Sequence, residues 1–380
     1  MRSGLIDLTE KLISIPSYLD SKTDERRLGE FLVVYLKRHC PCIKEIKLQK
    51  VTAKRYNILA KDGTNPKLMF ACHLDTVKPV DGGKYNPLTP VIEGDRLYGL
   101  GSKDMKGGIA SLLTAVSSFT STNGLYLLFY VDEERNLRGM RRFVRDLEVK
   151  PQLVVSPESN FEIANGRRGI ITVEVTVTGK TSHSARPHLG TNAVEKFYEA
   201  YSQLKSELGV FEDRDLGKVA CSLVYVKGGV YNQRTRVVEE RANLIPDFLK
   251  AVLNIRTPRR ELNGKFVESR MRVLLVKLGL KVEKVNNIHD FTPSFVSRQR
   301  LGELEKAIES SGVKPTYSKN IKYSGYNDVA LINEKTGSDF VNFGPYGEGN
   351  HSPNEWVSVS SLGKTQRVYE KLIRQMCTVT

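Results

Sequence analysis

The sequence predicts an α/β protein with a mostly parallel, mixed sheet flanked by helices, interrupted by an inserted ferredoxin-like α+β domain. Two observations carry this. Three short apolar runs, residues 68–72, 125–131 and 153–155, each break abruptly into imidazole or carboxyl groups, with helix-length segments between them. From Gly169 the texture changes to a long, alternating, β-branched stretch, and the segments that follow read β-α-β-β-α-β.

In order along the chain, residues 5–13 are apolar at helical spacing until Ile15-Pro16-Ser17 stops them. Residues 24–39 place Leu28, Phe31, Leu32, Tyr35 and Leu36 on one helical face, and residues 43–59 alternate as strands do. The run at 68–72 is short enough to be a strand buried on both faces, and it delivers His73-Leu74-Asp75. Ligands of open α/β sheets bind beyond the carboxyl ends of the strands, where these two residues fall. Positions i and i+2 of an extended segment share a face, so the Asp75 carboxylate is expected to accept the second ring N–H of His73. Taken alone, such a pair more often merely caps a loop.

Gly107-Gly108 lets backbone pass close to that region before an apolar helix at 109–119. The second apolar run releases Asp132-Glu133-Glu134 and the third Ser156-Pro157-Glu158. Parallel strands joined by helical crossovers would bring these ends together. The insert reads as strand 170–178, helix 193–208, strands 220–227 and 246–255, helix 262–278 and strand 281–285. The first domain then resumes with a helix at 299–311, a strand at 340–343 and a helix at 357–376, and the loop 344–355 carries His351 just beyond a strand. Residues 1–168 and 287–380 are thus expected to form one domain and 169–286 the other, in keeping with a chain too long for a single core.

Composition excludes several classes. With 380 residues, 40% hydrophobic and 27% charged, the chain is neither disordered nor fibrous. No apolar run reaches the 18 or so residues of a membrane span and the first residues lack a signal-peptide core, so a cytoplasmic protein without a membrane partner is expected. The five cysteines are scattered without a CxxC pair, which points to reduced thiols. A net charge of +15 favours anionic partners, but the basic residues are spread out. The stripe Arg138, Arg141, Arg142 and Arg145 reads as a solvated helix face, and nucleic acid is not an expected partner.

The chemistry lies in the strand-end set: His73, Asp104, Glu133 or Glu134, Glu158 and His351. Imidazole and carboxylate donors without thiolate suit zinc, with cobalt or manganese as substitutes. Five donors exceed what one catalytic zinc takes and suit two metals sharing a carboxylate, which can hold a hydroxide and polarise a carbonyl. The neighbours Glu133 and Glu134 point apart on an extended chain, so one can ligate while the other serves as general base.

Together, His73-Leu74-Asp75, Asp104-Met105-Lys106-Gly107-Gly108, Asp132-Glu133-Glu134, Glu158, Gly179 to His183 with Arg186-Pro187, Gly190-Thr191-Asn192-Ala193 and the His351-Ser352-Pro353-Asn354-Glu355 loop resemble the M20 family of dinuclear zinc hydrolases. The resemblance spans nearly the whole chain. It implies a zinc-hydrolase catalytic domain with an inserted lid and dimerisation domain, two Zn2+ ions, and a homodimer formed through the insert. Position by position, it implies that Asp104 bridges the metals, that His73 and Glu158 complete one site, and that Glu134 and His351 complete the other. Glu133 is similar to the family's general base, Asp75 to the aspartate that holds the first histidine, and His183 to the lid histidine that donates to the tetrahedral intermediate. Arg256 and Asn243 resemble lid residues at the substrate carboxylate, although Asn254 stands where the family often has aspartate.

The stretch Leu100-Gly101-Ser102-Lys103-Asp104 resembles acetylornithine deacetylases and their desuccinylase relatives, and Glu158 at the third ligand position resembles deacylases and carboxypeptidases more than tripeptide aminopeptidases. The implied function is deacylation of an N-acyl amino acid by a metal-bridging water. A carboxypeptidase or dipeptidase is the second reading, and a non-catalytic binding protein on the same fold the third.

Overall fold

The structure, a computed structural model, describes residues 2–322 and 328–378, except for the side chains of residues 2, 3 and 320. It divides into two units. The first holds Met1–Asn165, Val296–Lys319 and the C-terminal segment, and the second holds Gly166–Phe295.

The first unit opens with the helices Arg2–Ile13 and Arg26–His39, followed by strands β1 (Glu45–Lys50), β2 (Tyr56–Lys61), β3 (Leu68–His73), β4 (Leu125–Tyr130) and β5 (Leu153–Ser156). Every residue of β3, β4 and β5 is buried, which is why these runs show no polar alternation. The helices Gly107–Val116 and Arg138–Arg145 make the crossovers β3 to β4 and β4 to β5.

In the second unit, strands β6 (Gly169–Thr178), β7 (Ala220–Asn232), β8 (Phe248–Thr257) and β9 (Lys281–Phe291) form an antiparallel sheet in the order β7-β8-β6-β9, extended by the short strand Val237–Glu239 beside β7. Alternate residues of β6, Ile171, Val173, Val175 and Val177, are fully buried in a separate core with Phe197, Leu204, Met271 and Leu275 of the helices Ala193–Leu208 and Gly264–Lys277. Asn192 and Asn263 cap those helices by accepting from the Val194 and Phe266 amides. This is the ferredoxin-like arrangement. β9 runs six residues beyond the predicted 281–285, through a register shift between Asn287 and His289 and a polar segment without strand periodicity.

The first unit then closes with the helix Gly302–Ser310, strand β10 (Asp339–Asn342) and the helix Val359–Cys377. Among the described residues its sheet runs β1-β2-β4-β3-β5-β10, with β4, β3, β5 and β10 parallel and antiparallel pairing of β1 with β2 and of β2 with β4 at one edge, hence mixed. The last helix begins two residues later than predicted, because Trp356–Ser358 pairs as a strand with Arg96–Tyr98 and the Ser358 hydroxyl caps the helix by accepting from the Ser361 amide.

Two glycines let loops meet at the carboxyl end of this sheet. A Cβ on Gly108 would stand 1.9 Å from the Pro157 carbonyl oxygen, and one on Gly344 2.6 Å from the Glu158 amide. The chain carrying Glu158 therefore runs directly against both. No helix among the described residues is long and apolar enough to cross a membrane.

Candidate metal centre

The carboxyl ends of β3, β4, β5 and β10 lie side by side, and the polar residues following them converge. His73 ends β3. Its Nε2 lies 3.0 Å from Asp104 Oδ1 and its Nδ1 2.9 Å from the Asp75 backbone carbonyl. Asp104 sits in an irregular turn, Ser102–Lys106, before the helix Gly107–Val116, and the Asp104–Met105 peptide is cis. Glu158 follows β5, with Oε1 accepting from the Ser156 hydroxyl at 2.9 Å and from the Asn342 side-chain Nδ2 at 3.1 Å. From the loop after β10, His351 Nε2 reaches Glu134 Oε1 at 2.9 Å and Asp104 Oδ2 at 3.6 Å.

Two donor groups result. One is His73, Asp104 and Glu158; the other is Asp104, Glu134 and His351; the donor atoms of each lie within 4.8 Å of one another. Glu133 belongs to neither. Its carboxyl is pushed well above the ordinary range, first by burial and then, against the pull of His73, by Asp328, Glu158 and Glu134. Burial opposes ionisation of Asp104, but hydrogen bonds from His351 and His73 outweigh it and hold that carboxyl far below the usual range. His351 is raised to about 10 by its hydrogen bonds to Asp104 and Glu134. Burial and the neighbouring Asp104 push Glu158 up.

An excess of acids packed together out of water calls for compensating cations. The nitrogen and oxygen donors, sharing one carboxylate between two groups, fit a pair of divalent metals such as zinc. His73, Asp104, Glu158, Glu134 and His351 would hold them.

Asp75 departs from expectation. Its carboxylate oxygens accept the Glu133 and Glu134 amides at 3.0 and 2.9 Å, and Oδ1 stands 3.9 Å from His73 Nδ1. The imidazole meets the Asp75 backbone carbonyl instead, and the carboxylate is taken up by the two backbone amides of Glu133 and Glu134 that come after β4. Asp75 thus acts on the acidic pair as well as on the histidine.

Sequence reasoning gave no role to Glu355. This buried carboxylate accepts the Gly101, Lys103 and Asp104 amides at 2.8, 2.8 and 2.9 Å and so fixes the turn that presents Asp104. Asn350 also reaches Asp104 Oδ2, at 3.0 Å. Tyr130 donates to buried Asp328 at 2.7 Å, with its ring against His73. The loop around Glu355 was visible in sequence, but the donor amides lie 251 to 254 positions away and leave no pattern.

His183, Asn243 and Arg256 belong to the second unit. His183 is exposed, with Nδ1 accepting the Ala185 amide at 3.1 Å, and the adjacent Ser184 amide donates to the Asn243 carbonyl at 2.9 Å. The structure thus brings His183 and Asn243 together. Arg256 lies on β8, its Nε donating to Asn254 at 3.1 Å while Nη1 is buried with no hydrogen-bond partner among the described residues. Burial first, and then Arg168, lower its pKa, so the guanidinium stands in a basic setting that suits a carboxylate.

A family model described as "Peptidase family M20/M25/M40" matches residues 69–375. Acetylornithine deacetylase of Aliivibrio salmonicida is 34% identical over 213 residues, a match spanning 52% of this chain and 55% of that protein. Succinyl-diaminopimelate desuccinylase of Psychrobacter arcticus is 27% identical over 343 residues, 84% of this chain and 81% of that one. The crystal structure of aminopeptidase PepT from Bacillus cereus superposes with a TM-score of 0.76 at 20% identity, covering 99% of both chains, a likeness of fold.

Proposed function

The chain belongs to peptidase family M20/M25/M40 and is a metal-dependent hydrolase; from that premise we propose that it removes the acyl group from an N-acyl amino acid, using two zinc ions and Glu133 as general base. One observation carries the assignment of the base: of two adjacent acids, Glu134 falls in a donor group with Asp104 and His351, and Glu133 in neither. When bound, the metals supply Lewis-acid polarisation of the scissile carbonyl and lower the pKa of water.

The protein side of the reaction is proton transfer and orientation. Glu133 takes the proton of the attacking water on its carboxylate and returns it to the leaving nitrogen. Asp75 holds the backbone of Glu133, so that the carboxylate keeps its aim. Glu355 and Asn350 hold Asp104. In the second unit, His183 would donate to the oxyanion, while Arg256 and Asn243 would hold the substrate's free carboxylate and its surroundings. The unpartnered Nη1 of Arg256 supports that role. The exposed apolar Val224, Tyr225 and Val226 of β7, outside the stretch Val230–Asn232 that pairs with Val237–Glu239, support a homodimer formed through this unit.

The reading is tested by counting zinc per chain and assaying the zinc-loaded protein on N-acetyl amino acids, N-succinyl amino acids and dipeptides. Two zinc ions and turnover of an N-acyl amino acid are expected. Turnover of dipeptides alone would replace deacylase with peptidase, and fewer than one metal with no turnover would overturn the reading altogether.

A further inference from the structure

We propose that Arg55 and Glu25 are positioning residues that set the geometry of Glu133 and Glu134 through Asp132. The inference rests on the reading of Glu133 as base and Glu134 as metal donor. After β4 the chain turns at Asp132 in the left-handed region, with φ of 69°. The Asp132 carbonyl accepts the Leu137 amide at 2.7 Å, and the next two amides, of Glu133 and Glu134, go to the Asp75 carboxylate. That clamp grips the acidic pair from the side of the donor cluster.

A second clamp grips the turn from behind. Asp132 donates its own amide to Glu25 Oε1 at 3.1 Å, and its Oδ1 accepts Arg55 Nη2 at 2.9 Å. Arg55 also gives Nε to Glu25 Oε2 at 2.8 Å and Nη2 to Glu25 Oε1 at 2.5 Å. All three side chains are buried. Glu25 immediately precedes the helix Arg26–His39 and Arg55 immediately precedes β2, so the turn is tied to two regular elements outside the donor cluster.

Stability alone is a weak reason for this cluster. Two carboxylates share one guanidinium out of water, with Arg138 Nε 3.5 Å from Asp132 Oδ2 as further support, and buried ion pairs of this kind can be replaced by apolar groups with little loss. What apolar groups could not do is hold the Asp132 amide and carboxylate at once. A planar guanidinium can bridge two carboxylates in fixed directions, whereas an ammonium is a point charge.

Arg55→Lys therefore keeps the charge and removes the fork. The variant is expected to fold, with the circular dichroism and melting temperature of the unmodified metal-free protein. In titrations with Zn2+ alone it should bind one of two equivalents about tenfold more weakly and the other unchanged. On the panel substrate that turns over, kcat should fall at least tenfold with KM unchanged, and in a Glu133→Gln background Arg55→Lys should add no further loss. Glu25→Gln, which keeps the shape of Glu25, should reproduce the zinc effect if Arg55→Lys fails to fold. Unchanged zinc binding in both variants, or a loss that multiplies in full on Glu133→Gln, would overturn the inference. If Glu133→Gln alone leaves kcat unchanged, it is the base assignment that fails, and the zinc titration still decides whether Arg55 positions Glu134.

Discussion

The two units treat charge in opposite ways. Among the described residues, the first buries Glu25, Arg55, Asp62, Asp75, Lys103, Lys106, Asp132, Asp328 and Glu355, while the charged residues buried in the second are Arg167 and Arg168. The second keeps its ion pairs toward the surface, as in Arg270–Glu207, Arg241–Glu239 and Lys281–Glu283. Each unit has its own core of buried apolar side chains, so the difference does not come from one unit lacking a core. It marks where charge has a structural and chemical purpose. A buried ion needs a fixed partner, and a fixed partner holds geometry, whereas a surface pair contributes little and can be exchanged.

Removing Glu133's ionisable group should break this contrast most sharply, since it deletes function without deleting a contact. Glu133→Gln is expected to lower kcat by roughly 10²–10⁴-fold while zinc content stays at the unmodified level, checked by steady-state kinetics and elemental analysis. Next in size is Glu355→Ala. It leaves the Gly101, Lys103 and Asp104 amides without their acceptor, at about 1–3 kcal/mol for each that water does not reach, read as a lower midpoint in urea. Because both donor groups use Asp104, zinc affinity should fall at both sites.

The histidines sharpen the comparison within the first unit. The side chain of His73 is 2% exposed and that of His351 52%. Each alanine substitution should lose one zinc equivalent. In the metal-free protein, His73→Ala should also cost about 1–3 kcal/mol, because it strands the hydrogen-bonding groups of Asp104 and the Asp75 carbonyl, whereas His351→Ala should cost less, because water reaches its partners once the half-exposed ring is gone. Equal losses would mean that burial does not separate the two donor groups.

Much of the donor cluster was legible because burial and chemistry alternate so sharply at β3, β4 and β5. Strands covered on both faces must be apolar throughout, so His73, the acids after Tyr130 and Glu158 stand out at their ends. The supports were not legible. Arg55 meets Glu25 and Asp132 across 30 and 77 positions, and Glu355 acts on backbone amides, which no residue pattern announces. For Asp75, the spacing from His73 was readable, but the Glu133 and Glu134 amides that take up its carboxylate lie 58 and 59 positions away and leave no pattern. In the second unit the alternation of β6 was plain, whereas the far half of β9 carries His289 and Asp290 on an exposed segment and gives no strand signal.

The smallest expected effect lies in the second unit and tests whether its charges are as dispensable as their placement implies. Glu174 on β6 pairs with Lys250 of β8, 2.5 Å away, and with Lys284 of β9, joining three adjacent strands. Hydrogen bonds from Lys250 and then Lys284 hold its carboxyl below the ordinary 4.5. A carboxyl depressed on folding contributes stability that is fully present above its unfolded pKa and is lost as pH falls through the folded one. The contribution should therefore be complete at neutral pH and fade below about pH 4.5. Glu174→Gln should cost about 1 kcal/mol or less at pH 7 in low salt, less in high salt, and nothing once the pH is below the folded value. Melting curves of the two proteins at pH 7 and pH 3 read the difference directly. A penalty of several kcal/mol at pH 7 that salt does not reduce would mean that this three-strand triad behaves like the buried clusters of the first unit, and the division of charge between the two units would not hold.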